Sequence, residues 1–98
     1  MNNEICKAIA NRNIIEFYYK GGTRTVEPHC YGVHKDTHNE VLRGYQIGGY
    51  SESRALPPWR LYVVPDMSGL RIIDDLFLNP RPGYNPNDSH MSQIFCNI

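Results

Sequence analysis

The chain has 98 residues, of which 41% are hydrophobic and 11% aromatic. This length predicts a single domain over residues 1–98, and the apolar content is enough for one compact core. Lys and Arg number 10 and Asp and Glu number 10, so the formal net charge is zero. That balance excludes a strongly basic nucleic-acid-binding protein, whose pI usually exceeds about 9.

The three cysteines, Cys6, Cys30 and Cys96, are widely spaced and odd in number, and they contain no CxxC pair. This pattern predicts reduced thiols in a reducing compartment. Residues 1–13 lack the charged head and apolar run of a signal peptide. No apolar stretch approaches the roughly 20 residues needed to cross a bilayer. The sequence therefore predicts a cytoplasmic protein.

The first third of the chain predicts one helix and two strands. Apolar residues recur at helical spacing over residues 3–12, after an Asn that can cap the helix. Residues 14–19 (IIEFYY) are β-branched and aromatic, and a Gly-Gly turn connects them to a second strand over 23–33. Pro28 lies within that second strand, which predicts an edge position or a bulge, because proline cannot donate to the ladder.

The middle of the chain predicts three more β segments. A polar hairpin loop at 34–39 precedes a third strand at 41–47, which Gly44 interrupts. Residues 48–58 are rich in Gly, Ser and Pro and are long enough for a lid or the rim of a site. Residues 59–64 (WRLYVV) predict the clearest strand, and residues 70–77 predict a short final meander.

The sequence predicts a core at about residues 5–77, followed by a C-terminal tail that wraps around it. The tail, at about 78–98, contains several prolines, which predict an extended wrap. Alternation over 92–98 adds a closing strand. Short strands with frequent turn signals after one helix predict a mainly β (α+β) domain, either a small barrel or a strongly bent antiparallel sheet.

Catalytic and metal sites find little support in the residue pattern. His34 and His38 are four apart, with Asp36 between them, but they lie in a polar turn, where this spacing does not place two ligands on one face. Cys30 and His29 are adjacent on one strand, so their side chains point to opposite faces and cannot form a nucleophile–base pair. We therefore expect no metal, no cofactor and no enzymatic activity.

Arginines and tyrosines form the more informative pattern. Arg43 and Tyr45 are two residues apart and share a face of their strand, and Arg60 and Tyr62 repeat the arrangement on the next strand. Arg24 lies on the preceding strand. Together they predict a surface on which guanidinium groups hold phosphates and rings stack on bases. The alternative is that the aromatic side chains belong to the core and the arginines to the solvated face.

Four motifs follow one another in a family-specific order: an apolar strand ending in Tyr, an Arg-x-Val-x-Pro segment, an apolar strand ending in Gly-Tyr, and an Arg-aromatic strand before a short apolar turn. They are Tyr19, Arg24-Thr25-Val26-Glu27-Pro28, Val41-Leu42-Arg43-Gly44-Tyr45 and Arg60-Leu61-Tyr62 with Met67-Ser68-Gly69-Leu70. This order resembles the WYL domain over residues 5–75. Two features depart from that family: Glu40-Val41-Leu42 replaces its namesake Trp-Tyr-Leu, and the chain has no helix-turn-helix.

The resemblance implies an Sm-like, SH3-related small barrel and a regulatory, ligand-sensing role in a bacterial or phage protein. We expect a free-standing module that binds a nucleotide-like or oligonucleotide anion and acts as a sensor for a separate effector or as a sequestering protein. Its ligand-binding residues would be Arg24, Arg43, Tyr45, Arg60 and Tyr62. An oligomerising protein-interaction domain is the alternative, because an exposed edge strand is a template for pairing. A small nuclease or hydrolase using His29 or His34 is a third interpretation.

Overall fold

The structure is a computed structural model that describes residues 1–50 and 58–98. It contains one α-helix, a short 3-10 helix and an antiparallel sheet, and is mainly β. The elements are α1 (Asn3–Asn11), β1 (Asn13–Tyr19), β2 (Gly22–His34), β3 (Glu40–Gly49), β4 (Trp59–Val63), the 3-10 helix Val64–Asp66, β5 (Ser68–Leu76) and β6 (Met91–Asn97). The predicted helix and strands, including the closing strand, are confirmed within two residues at their ends, and the predicted meander at 70–77 is instead the single strand β5. Most of the predicted lid or rim at 48–58 lies outside the described residues.

Helix α1 begins and ends where local chemistry requires. The Asn2 side chain accepts hydrogen bonds from the N–H groups of Glu4 (3.0 Å) and Ile5 (3.3 Å), which satisfies two donors of the first turn. Arg12 adopts a left-handed conformation with φ of 58° and ends the helix. The buried residues Ile5, Ala8 and Ile9 share one face, through which the helix packs on the sheet.

Strand β2 is the centre of the sheet, whose order is β4-β3-β2-β1-β5 with β6 also paired to β2. Along one side β2 pairs with β3; along the other it pairs first with β1, between Gly22 and Val26, and then with β6, between Cys30 and His34. The register with β3 shifts between Pro28 and Cys30, so the predicted bulge at Pro28 is confirmed. Because β2 has 13 residues, it can pair with β3 along one side and with β1 and β6 in succession along the other.

The sheet is not closed, since β4 and β5 are its end strands, but it curves around a small core. The Tyr19 hydroxyl on β1 accepts a hydrogen bond from the backbone N–H of Val63 on β4 at 3.0 Å. Two other strands separate β1 from β4 in the sheet, so this contact requires strong curvature. Phe17, Tyr19 and Tyr62 pack edge to face beneath the curve, with ring centroids 5.0–6.2 Å apart.

The cysteines differ from the sequence prediction. Cys6 on α1 and Cys96 on β6 form a disulfide with a Cα–Cα distance of 5.7 Å, while Cys30 is free and buried. The prediction of reduced thiols is therefore wrong for Cys6 and Cys96. Their separation is 90 residues in sequence, and only the packing of α1 against β6 brings them together. The spacing of cysteines along the chain does not reveal such a pairing.

Candidate functional site

Strand register divides the five predicted ligand-binding residues between the two faces of the sheet. Directly opposed residues of an antiparallel pair share a face. Tyr62 opposes Leu42, whereas Arg43 opposes Leu61 and Tyr45 opposes Trp59. Arg43 and Tyr45 therefore lie on the outer face, and Arg60 and Tyr62 lie on the inner, core-facing side with Arg24. The expected neighbouring pair of Arg43 and Arg60 is not formed.

Tyr62 is part of the core rather than a surface ring. Its side chain is 1% exposed, and its hydroxyl donates to Gln46 Oε1 at 2.8 Å. Burial raises the pKa of Tyr62 to about 12, although the charges of Arg24 and Arg60 oppose the shift. Base stacking on this ring would require the core to open, so the alternative interpretation of the tyrosines as core residues fits Tyr62 better.

Arg24 is the unusual residue of the inner face, since it is an arginine that is only 5% exposed. Its Cζ lies 5.4 Å from the ring centroid of Tyr19 and 5.2 Å from that of Tyr50, so two rings hold the group. Nη2 donates to the Lys20 carbonyl at 3.3 Å, but Nε has no hydrogen-bond partner. Within residues 1–50 and 58–98, no acid forms an ion pair with Arg24.

Local backbone and one further cation shape the surroundings of Arg24. The Lys20 ammonium lies 5.4 Å from the Tyr19 ring centroid and adds a second positive charge. The Tyr50 N–H donates to the Thr23 carbonyl at 2.8 Å. Tyr50 also packs over Gly22, because a Cβ added to Gly22 would lie 2.3 Å from the Cβ of Tyr50. We call this group, comprising Tyr19, Lys20, Arg24 and Tyr50, the Arg24 site. It presents positive charge and aromatic surface at one end of the inner face.

Arg43, on the outer face, is already neutralised within the chain. Its Nε and Nη2 donate to the two carboxylate oxygens of Asp88 at 2.7 and 3.3 Å, and Nη2 also donates to His90 Nδ1 at 3.0 Å. Burial raises the pKa of Asp88, but hydrogen bonds from Arg43 and from the His90 N–H outweigh it and hold the pKa below its usual value. Asp88 is thus a stable counter-ion for Arg43.

Tyr45 is covered by a second ion pair from the C-terminal residues. Arg81 donates from Nε and Nη2 to the carboxylate oxygens of Glu27, at 2.7 and 2.9 Å. The same guanidinium lies 4.7 Å from the Tyr45 ring centroid, and Trp59 packs edge to face on the other side at 5.3 Å. Tyr45 therefore contacts internal partners. Sequence reasoning missed the pair of Glu27 and Arg81, because Glu27 is an unspecified position of its motif, Arg81 stands in no motif, and the two are 54 residues apart.

A cleft of about 280 Å³ opens between the outer face and the segment 83–90. We call it the outer cleft. Arg43 and Trp59 line it from the sheet, and Tyr84, Asn85, Asp88 and His90 line it from the segment. Of the predicted ligand-binding residues, only Arg43 lines this cleft.

His29 fastens the C-terminal residues to the sheet. It is fully buried, and its ring lies within 5.3 Å of the rings of Trp59, Phe77 and Tyr84. Nδ1 lies 2.8 Å from the Glu27 carbonyl, to which it must donate, and Nε2 accepts from the Arg81 N–H at 3.1 Å. Burial lowers the pKa of His29. These two hydrogen bonds assign a neutral ring with its proton on Nδ1.

His34 and His38, the other two histidines considered in the sequence, do not share a site with His29. His34 accepts at Nδ1 from the N–H groups of Asp36 and Thr37, at 3.1 and 3.3 Å, and so stabilises its own turn. His38 adopts a positive φ of 62° in the same turn. Within the part of the chain that the structure describes, no three His, Cys, Asp or Glu side chains are grouped to hold a metal ion.

No protein-family model, curated protein or solved structure matches this chain. Among the described residues, no helix has the length and apolar character needed to cross a membrane. Function is therefore inferred from the contacts and charges of the described residues.

Proposed function

We propose that this protein is a binding module for a nucleotide-like or oligonucleotide anion, without catalytic activity, and that the Arg24 site holds the anionic group. The observation behind the proposal is the buried guanidinium of Arg24, whose Nε has no hydrogen-bond partner and which no acid of the described residues neutralises. A free-standing module of this kind would act as a sensor for a separate effector or would sequester its ligand.

Desolvation opposes the burial of the Arg24 guanidinium. Transferring an ionised group from water into a protein interior is costly unless a counter-charge and hydrogen bonds compensate. Tyr19 and Tyr50 offset part of that cost through their ring faces. A phosphate would supply both the missing charge and an acceptor for the guanidinium, with Lys20 as a second contact. Tyr50, which is 45% exposed, would offer a ring to a base beside the phosphate.

The fold proposal is a WYL-type domain with an Sm-like or SH3-like barrel. Two observations support it: the order of the four sequence motifs, and the hydrogen bond from Val63 to Tyr19, which draws β4 toward β1. The cytoplasmic location expected from the sequence requires Cys6 and Cys96 to be reduced in cells, which counting free thiols in protein alkylated inside cells would test. The disulfide between Cys6 and Cys96 argues against a reducing compartment.

Isothermal titration calorimetry tests the binding proposal. Mononucleotides, cyclic dinucleotides and a short single-stranded oligonucleotide would be titrated at two salt concentrations. We expect binding that weakens as salt rises, because bound phosphate displaces counter-ions. Arg24→Gln should weaken binding by about tenfold or more, the loss expected for a charge-assisted hydrogen bond, and Arg24→Lys should retain part of it. Thermal melts would confirm that both variants fold.

Two control variants make this experiment decisive. Arg71→Gln removes a guanidinium that is 68% exposed and paired with Glu16, and it should leave binding unchanged. Glu52 lies outside the described residues and is the acid nearest in sequence to Tyr50, and Glu52→Gln tests whether this acid neutralises Arg24. If only Glu52→Gln binds nucleotides, the counter-ion of Arg24 belongs to the chain itself and the proposal fails. It also fails if wild-type protein binds none of the probes at high micromolar concentration.

Self-association through β5 is the second candidate function. This strand has nine residues and is an end strand of the sheet, so one side of its backbone is not paired within the sheet. Leu76, the last residue of β5, and Leu78, two residues beyond it, are 61% and 87% exposed. Light scattering on a size-exclusion column would show a mass above one chain at high micromolar concentration if β5 pairs with a second copy. A monomer at all concentrations would exclude this function.

A further inference from the structure

We propose that the outer cleft binds a neutral nitrogen heterocycle of the nucleobase kind, independently of the Arg24 site. The cleft of about 280 Å³ lies between two residues of the sheet, Arg43 and Trp59, and the segment 83–90. Pockets for drug-sized ligands begin at about 300 Å³. The occupant of this cleft is therefore small, on the scale of a single ring system.

Charge balance excludes a phosphate as the main contact. The guanidinium of Arg43 donates two hydrogen bonds to Asp88, and Asp88 accepts a further one from the His90 N–H at 3.0 Å. The positive charge at this place is thus matched by a buried carboxylate. A phosphate would have to approach that carboxylate, which repels it, whereas a neutral ligand meets no such opposition.

The hydrogen-bonding groups left over in the cleft are mainly donors. His90 Nδ1 lies 3.0 Å from Arg43 Nη2 and 3.4 Å from Asp88 Oδ1. Because a guanidinium can only donate, Nδ1 accepts from Arg43 and the N–H that the ring can offer is on Nε2. Asn85 Oδ1 accepts from the Asn87 N–H at 3.0 Å and leaves its NH₂ group available. Within residues 1–50 and 58–98, neither His90 Nε2 nor Asn85 Nδ2 has a hydrogen-bond partner. A complementary ligand must present acceptors, as ring carbonyls and ring nitrogens do.

Trp59 supplies the flat apolar wall. Its Nε1 donates to the Pro82 carbonyl at 3.0 Å, so the polar edge of the indole is satisfied and what remains is ring surface. The ring is held by His29 at 4.7 Å and lies nearly parallel to Tyr84 at 6.1 Å. Gly83 has a φ of 89°, and a Cβ there would lie 3.2 Å from Trp59 Nε1, so the chain passes close to the indole. A planar heterocycle with acceptors matches this wall and these donors.

Fluorescence of Trp59 provides a direct test, because it is the only tryptophan of the chain. Uridine, adenosine and ribose would be titrated while the emission is recorded. We expect saturable quenching by at least one nucleoside, little response to ribose, and an affinity that stays constant from low to moderate salt. Arg24→Gln should not alter this quenching, so failure of the Arg24 site and failure of the cleft are distinguishable.

Two substitutions assign the binding to the cleft. His90→Ala removes one donor and should weaken nucleoside binding by about threefold to tenfold, the loss expected for one neutral hydrogen bond. Asn85→Asp keeps the oxygen that accepts from Asn87 but replaces the NH₂ donor by an acceptor. It should weaken nucleoside binding as much as His90→Ala does. His38→Asn, in the exposed turn, is the matched control and should change nothing. Absence of saturable quenching, equal quenching by ribose, or wild-type affinity in both variants would overturn the proposal.

Discussion

Replacing Arg81 by Ala should destabilise the protein much more than replacing Arg71, although both arginines donate two hydrogen bonds to a Glu. The Glu27 side chain is 4% exposed, so Arg81→Ala leaves a buried carboxylate without its counter-ion. Breaking a buried pair in this way costs about 3–5 kcal/mol. Because the Arg81 side chain is 41% exposed and water reaches it, we take the lower end, about 3 kcal/mol. For a domain of this size, that lowers Tm by roughly 12 °C or more.

Arg71 is the matched control, since its pair with Glu16 is 68% and 28% exposed. Exposed pairs contribute about 0–1 kcal/mol, so Arg71→Ala should lower Tm by only a few degrees. Thermal melts followed by circular dichroism would compare the two variants and the double variant Glu27→Gln/Arg81→Ala. The neutral Gln removes the buried charge and should restore part of the loss. Equal Tm values for the two single variants, or no recovery in the double variant, would refute the reasoning.

Two further predictions concern the contacts that hold the C-terminal residues. Reduction of the disulfide between Cys6 and Cys96, which are 90 residues apart, should lower the free energy of unfolding by up to about 4–5 kcal/mol, and chemical denaturation with and without reductant would show it. A Cys6→Ser variant that still responds to reductant would contradict this assignment. Because burial lowers the pKa of His29 from 6.5, the unfolded chain binds more protons below that pH. The free energy of unfolding should therefore be highest above pH 6.5 and fall as the pH drops toward the pKa of His29 in the folded protein. In thermal melts from pH 7.5 to 5.5, His29→Gln should make Tm less dependent on pH. An equal dependence of Tm on pH in the variant and the wild type would disprove the prediction.

Local signals in the sequence predicted most of the elements correctly, because helix caps, turn residues and alternation act over a few residues. Pro28 is an example: the missing N–H predicts an edge position or a bulge, and the register with β3 shifts there, although β2 is a central strand. The helix prediction is also correct, since Asn2 caps it and its apolar residues recur at helical spacing. The pairing of Cys6 with Cys96 could not be predicted, because it depends on how α1 and β6 pack.

The candidate site shows the same limit. Alternation within one strand correctly predicted that Arg43 shares a face with Tyr45 and Arg60 with Tyr62. The relation between the two strands depends on their register, and a shift of one residue exchanges the faces. In the structure Arg43 opposes Leu61 rather than Arg60, which separates the two arginines. Sequence alone does not contain this register.

The residues 77–90, between β5 and β6, neutralise charges on the outer face of the sheet. Two of their side chains reach the outer face with opposite charges: Arg81 binds Glu27, and Asp88 binds Arg43. Glu27 and Arg43 are thereby both neutralised inside the chain. No residue of that segment forms an ion pair with Arg24, on the inner side, within the described part of the chain. A neutral net charge therefore conceals an uneven distribution. Ion pairs match Glu27 and Arg43 on the outer face, whereas Arg24 on the inner side forms no ion pair among the described residues, and the two proposed sites depend on this difference.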